Sequence, residues 1–321
     1  MALTYDTLAS TTFHLIRKRL ADAIFKSNPF SAYLLMRGRV KTEPGGTEIR
    51  EPLIYAVNNT VKSYSGYDRL NVTPTEELTS AVYQWKLLAG SISISGEEEL
   101  KNNGPAAVFK MLQVKADVLE KSMRQRFNEM FLQKVGLMSA KDFLSLDALV
   151  ENSGTFGTVG GIDSNTYTWW QNHHTSIALS TTTVTDELRK FYHNVSQGIE
   201  RPDLFLMPQT YFETYEKENA TKQVLSDTRL LDAGFENLKF KGVTMMWDPM
   251  MEDSTLRDAT DVKTIYGLNT NYLSVTLHAR RNFVMTPFQK PYDQDARVAQ
   301  MFVAGNLTCS NRRFQGALVL T

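Results

Sequence analysis

The stretch PGGTEIREPLIYAVNNTVKSYSGYDRLNVTPTEELTSAVYQWKLLAGSISIS, Pro44 to Ser95, decides how the rest of the chain is read. It opens on a Pro-Gly-Gly breaker, enters alternating strand-like residues, crosses a middle rich in Asn, Ser, Gly and Thr, and returns along a second alternating run. This pattern predicts one very long β-hairpin. On the return, alternation sets Tyr83, Trp85 and Leu87 on one aromatic and apolar face, with Val82, Gln84 and Lys86 on the other. A two-stranded ribbon is marginal in water by itself, so something else must support it.

Helical signals flank the ribbon. Phe13, Ile16, Leu20 and Ile24 recur at helical spacing with Arg17, Lys18 and Arg19 opposite them, and Asn28-Pro29 ends the run. This is an amphipathic N-terminal arm whose basic face is either solvated or set against an acidic partner or nucleic acid. Beyond the ribbon, Gly104-Pro105 opens a helix with an apolar stripe of Val108, Leu112, Leu119, Met123, Phe127 and Met130. About thirty residues at ~1.5 Å each give a rod of roughly 45 Å, long enough to span a domain.

From Leu146 the texture changes to LDALVENSGTFGTVGGIDSNTYTWWQNHH, and helix and strand patterns then alternate as far as Leu268, which predicts a mixed α/β unit. The segment DARVAQMFVAGNLTCSNRRFQGALVLT reads as two strands split at Ser310-Asn311, both needing partners earlier in the chain. No internal repeat is evident.

Composition narrows the classes. The 321 residues are 42% apolar and 22% charged, ordinary for a globular protein. With 35 basic and 35 acidic side chains, the chain lacks the basic excess of a dedicated nucleic-acid binder, although passive contact with nucleic acid fits. Neither a signal-peptide pattern nor an unbroken apolar run of about 18 residues occurs, so secretion and membrane insertion are not expected. Cys309, the sole cysteine, cannot form an intrachain disulfide and reads as a small buried apolar residue in a reducing compartment.

The chemistry-bearing candidates are weak. His173-His174 beside Trp169-Trp170 would point to opposite sides of a strand, with no third ligand at metal-site spacing. Gly154 to Gly161 lacks the Lys-Ser/Thr of a phosphate loop and reads as a connector. Glu97, Glu98 and Glu99 suit the positive start of the following helix. No catalytic, cofactor-binding or metal site is predicted, and a soluble enzyme would need a constellation the sequence does not contain.

Taken in order, these elements resemble the major capsid protein of tailed double-stranded DNA bacteriophages. PLIYAVNNTVKSYSGYDRL, LDALVENSGTFGTVGGIDSNTYTWW and GNLTCSNRRFQGALVL are similar to stretches of phage capsid sequences. The resemblance implies an α+β, Hong Kong 97-type fold. Its parts would be an N-terminal arm (1–41), an extended hairpin loop (42–96), a peripheral domain with a spine helix (97–145) and an axial domain (146–286). Return strands of the peripheral domain (287–309) and a C-terminal strand back to the axial domain (310–321) would follow.

The resemblance further implies a non-enzymatic head subunit that forms hexamers and pentamers of an icosahedral shell around packaged DNA, in the host cytoplasm during assembly and in the virion afterwards. Candidate contacts between subunits are Tyr55, Val57, Lys62, Tyr64, Tyr83 and Trp85 of the hairpin and Phe13, Ile16 and Leu20 of the arm. Because the arm starts at Met1, without the scaffolding segment some members carry, a separate scaffolding protein is expected. Portal and decoration proteins are the other implied partners, with no cofactor and no membrane. Some members join a hairpin lysine to an asparagine of a neighbour; Lys62 and Asn306 have those types, but nothing in the sequence brings them together. A shell of the same fold around cargo enzymes, as in encapsulins, is the alternative reading.

Overall fold

The alternating runs become strands of two separate sheets, and the long apolar stripe becomes a helix packed against one of them. A computed structural model describes residues 28–101, 105–178, 183–219, 238–257 and 263–320. The arm candidates Phe13, Ile16 and Leu20 lie outside these residues.

Helix α1 (Pro29–Met36) starts where Pro29 cannot donate and where Asn28 Oδ1 accepts from Phe30 N at 2.8 Å. Pro29 to Leu34 are all buried. Strand β1 (Val40–Glu43) follows, then β2 (Ile49–Ile54), β3 (Leu78–Tyr83) and β4 (Lys86–Ser95). A short helix α2 (Gly96–Lys101) leads to α3 (Pro105–Leu132), 28 residues and therefore about 42 Å long. Leu119, Met123, Phe127 and Met130 form its buried stripe, while Val114 and Val118 face outward. The side chains of Val108 and Leu112 lie outside the described ones.

The connector α4 (Leu146–Leu149), the two-residue pair β5 (Thr158–Val159) and β6 (Ile162–Asp163), and β7 (His173–Ile177) come next. Then follow α5 (Val184–Val195), β8 (Leu204–Met207), α6 (Gln209–Asn219), β9 (Leu238–Phe240), β10 (Val243–Trp247) and β11 (Thr264–Leu268). The chain closes with β12 (Leu273–His278), β13 (Val284–Met285), β14 (Ala296–Cys309) and β15 (Gly316–Leu320).

One sheet has five strands. Its backbone is β14, which pairs antiparallel with β4 over Ala296–Gly305, with β12 over Gly305–Cys309 and with β13 at Met301 and Phe302; β1 adds to β12 in parallel. Helix α3 lies against this sheet. Leu119 and Met123 pack so near Gly90 of β4 that a Cβ there would stand 2.5 Å from Leu119 Cδ1.

The second sheet has six strands in the order β7-β15-β11-β8-β10-β9. Helices α5 and α6 cover one of its faces through Leu188, Phe191, Val195, Phe212 and Tyr215. Thr183 caps α5, and the Glu218 carboxylate accepts from the free amides of Val184 and Thr185 at 3.0 and 2.9 Å. The other face contributes Leu204, Leu206, Tyr266 and Leu268 to the core shared with α3 and the first sheet. Strands β14 and β15 are consecutive in sequence yet belong to different sheets.

Two expectations are corrected here. The ribbon does not run continuously from Pro44 to Ser95: only β2 and β3 pair with each other, and β4 pairs with β14 instead. Gln84 and Trp85 belong to neither strand, and across them the pleat slips by one residue. Ala81 and Tyr83 point inward in β3, whereas Ile92 and Ile94 do so in β4, which leaves Leu87 exposed. Tyr83 and Leu87 therefore do not share an outward face. The second correction concerns 146–286, grouped as one unit: β12 and β13 within it pair with β14, so the six-stranded sheet takes nothing from the chain between Leu268 and β15.

Candidate assembly surfaces

Between β2 and β3 the chain leaves the sheets altogether. Residues 55–77 contain no strand or helix, and 61–76 are exposed without exception. Local bonds shape the loop: Asn58 and Asn71 each accept from the amide two residues on, Asp68 accepts from Ser65 N, and Lys62 Nζ donates to Arg69 O at 2.7 Å across the loop. Apolar and aromatic side chains nevertheless stand in water here. Val57 is 84% exposed, Tyr64 66% and Val72 89%, and Tyr67 has no cover at all. A surface with this many large apolar groups in one segment is the usual mark of a contact site.

The base of the ribbon is held firmly. Inward-facing Ile49, Glu51 and Leu53 alternate with outward Arg50, Pro52 and Ile54. Glu51 accepts from Thr308 Oγ1 at 3.0 Å and pairs with Lys41 at 3.2 Å. Val82 N donates to Gly160 O at 2.8 Å, so the β5–β6 turn clasps β3. Gly160 has φ +62°, and a Cβ there would meet Ala81 Cβ at 2.9 Å; only glycine lets the turn come this close. Tyr55, where the loop leaves the body, stacks on Trp169 with centroids 5.3 Å apart.

The six hairpin candidates each have a place, while those of the arm lie outside the described residues. Val57, Lys62 and Tyr64 lie on the exposed loop, and Tyr55 at its root. Tyr83 does not belong with them. It is 2% exposed, its hydroxyl donates to Cys309 O at 2.7 Å, and burial raises its pKa well above the ordinary value. The inward pleat of β3 covers it within its own chain, so it is withdrawn as a contact residue. Trp85 is half-buried: its Nε1 donates to Gly46 O at 3.0 Å and its ring meets His278 edge-on at 5.3 Å. It too rests on its own chain.

Asn306 is fully buried, its amide nitrogen donating to Gln84 O and its oxygen accepting from Leu144 N, so no lysine of another copy reaches it. His173 lies on edge strand β7, with burial lowering its pKa. No group of three or more metal-ligating side chains occurs among the described residues. Cys309 is buried, its thiol pushed up to about 12 by that burial.

Sequence reasoning missed two arginines. Arg257 is fully buried, donates to Leu132 O at the end of α3 and to Tyr266 Oη on the six-stranded sheet, and lies 3.9 Å from Asp147. Arg312 donates to Leu149 O, Ser164 Oγ and Asn172 Oδ1, and burial lowers its pKa. Together they rivet the connectors between the two sheets. Arginine reads as surface in any sequence, so only the folded carbonyls around these side chains reveal the role.

No sequence-family profile and no curated relative matches the chain. Solved structures do. The fold is similar to a chain of the cyanophage A-1(L) capsid asymmetric unit (TM-score 0.63, 14% identity, covering 88% of this chain and 89% of that one). It is similar to a capsid chain of an empty GTA particle (TM-score 0.56, 12% identity, 89% and 95%). It is also similar to the holo-SrpI encapsulin complex from Synechococcus elongatus (TM-score 0.54, 9% identity, 89% and 86%). The chain thus has the Hong Kong 97-type α+β fold of shell-forming proteins. Its likeness to these subunits runs over most of its length.

Proposed function

We propose that this chain is the major head subunit of a tailed bacteriophage, assembling into hexamers and pentamers of an icosahedral shell around double-stranded DNA. The observation that carries this reading is the loop of residues 55–77, apolar side chains bare in the single chain yet fixed to a rigid base, on a fold otherwise met in capsid subunits. Tyr55, Val57, Lys62 and Tyr64 are its contact residues, and the arm adds Phe13, Ile16 and Leu20. On this reading α3 with the five-stranded sheet is the peripheral domain, and the six-stranded sheet with α5 and α6 is the axial domain. The role is structural rather than enzymatic. A separate scaffolding protein, a portal and decoration proteins are its partners, DNA is touched passively, and the shell is the virion's own.

Burial of apolar loop surface at ~25 cal/mol per Å2, repeated around closed rings, supports such a shell without covalent links. A cargo-enclosing compartment is the second reading, favoured by the encapsulin likeness. Negative-stain microscopy of the purified full-length chain, alone and with a scaffolding protein, tests the proposal. Closed shells, hexameric rings or tubes are expected, and a uniform monomer at high concentration under both conditions overturns it.

A further inference from the structure

The seat beneath the ribbon is polar where an apolar one would be easier to build. Strands β12 and β14 are paired with Ser274 directly opposite Thr308 and Thr276 opposite Asn306. Alternation puts all four on one face of the sheet, and all four are buried. Ser274 and Thr308 hydroxyls lie 3.0 Å apart, and Thr276 Oγ1 is buried with no hydrogen-bond partner. Leu273, Val275 and Leu277 fill the opposite face of β12. A buried polar row in the middle of an apolar core is a cost that packing alone does not explain.

Glu51 lies over this row. It is 8% exposed, and Ile49 and Leu53 flank it on the ribbon's inward face. Its carboxylate gathers groups from three adjacent strands of the sheet: Lys41 of β1 at 3.2 Å, Ser274 of β12 at 3.4 Å and Thr308 of β14 at 3.0 Å. An apolar residue there could slide over its neighbours with little change in energy, since packing forces are non-directional. A carboxylate with three directional partners has one low-energy position, and any tilt of the ribbon leaves a buried charge unpaired.

We propose that Glu51 is the positioning residue that fixes the angle at which the ribbon leaves the five-stranded sheet, at some expense to the stability of the subunit. This rests on the shell-subunit reading, in which the loop must meet the next copy in one orientation. The exposed loop cannot set that orientation; its base does.

The test uses the full chain in its dissociated, monomeric form. Spin labels are placed at Leu78→Cys, on the exposed distal end of the ribbon, and at Tyr292→Cys on the body; Cys309, being buried, stays unlabelled. The distance distribution is measured by pulsed electron resonance, with and without Glu51→Leu. A single narrow peak that is lost in the variant, with the melting temperature unchanged or higher, is the expected result. A variant whose peak stays narrow overturns the proposal whatever its melting temperature. If Glu51→Leu does not fold, Glu51→Gln, which keeps the shape but drops the pairing with Lys41, is measured against the same two outcomes. Particle formation is scored separately by microscopy. A broadened peak in a chain whose native form makes no shells keeps the positioning role and rejects the shell reading.

Discussion

Asp248 shows how much one residue can weigh. It caps the turn Pro249–Glu252, accepting from Met250 N at 2.9 Å, yet it is 2% exposed, and burial raises its pKa from the usual 3.8 to about 6. A raised carboxyl favours folding in its protonated form. The added stability is complete below about pH 3.8 and is lost as the pH climbs through about 6, a difference of about 3 kcal/mol. Asp248→Asn keeps a capping oxygen without the charge. It should melt higher than the native chain near neutrality, and the gap should close toward acid pH; thermal unfolding curves that stay parallel across this range would contradict the assignment. In the sequence, WDPM reads as an ordinary turn, because nothing local tells that the carboxyl is sealed from water. The same holds for Tyr83, Asn306 and Arg312. Their residue types were plain, but their burial depends on strands from distant parts of the chain.

At the scale of elements, legibility followed locality. The helix at Pro105–Leu132 could be read because its stripe and its proline start are encoded within itself. The slip at Gln84-Trp85 could not, since alternation of side chains continues through it and only the change of partner from β2 to β14 marks the break. Another element-level contact was hidden for a different reason. Gly267 and Gly316 are register partners on β11 and β15, and Phe191 of α5 lies directly on both. A Cβ on Gly316 would stand 2.6 Å from Val195 Cγ2 and 2.8 Å from Phe191, so α5 would have to lift from the sheet. Gly316→Ala should destabilise the subunit by about 1–3 kcal/mol, read as a lower denaturation midpoint in urea. An unchanged midpoint would mean that α5 is more loosely seated than the packing around Phe191 indicates.

For the whole molecule, the division between a self-sufficient body and a loop that finds no cover is the central property. Replacing residues 57–76 with a short Gly-Ser linker should leave the melting temperature of the dissociated subunit close to native, because 61–76 contribute no buried side chain. On the shell-subunit reading, closed particles should disappear in the same variant, as followed by sedimentation. Particles of native size from the linker variant would remove the loop from the assembly contacts. The sequence disclosed the loop's polar tip and its flanking strands, while the sheet that carries them was legible only as unpaired strands awaiting a partner.

Strand β14 sets a condition on the birth of this protein. Of the five strands in its sheet it is the last to be synthesised; β4 and β13 pair in that sheet only with it, and it alone joins them to the β1–β12 pair. On the ribosome, β4 and the helix behind it must therefore wait with their pairing edges bare until residues 296–309 emerge, a non-local closure of the slow kind. A chain broken off before that point has no five-stranded sheet on which to set the ribbon. On the shell-subunit reading, prematurely terminated copies would then be barred from a growing particle by their own topology, with no separate proofreading factor needed.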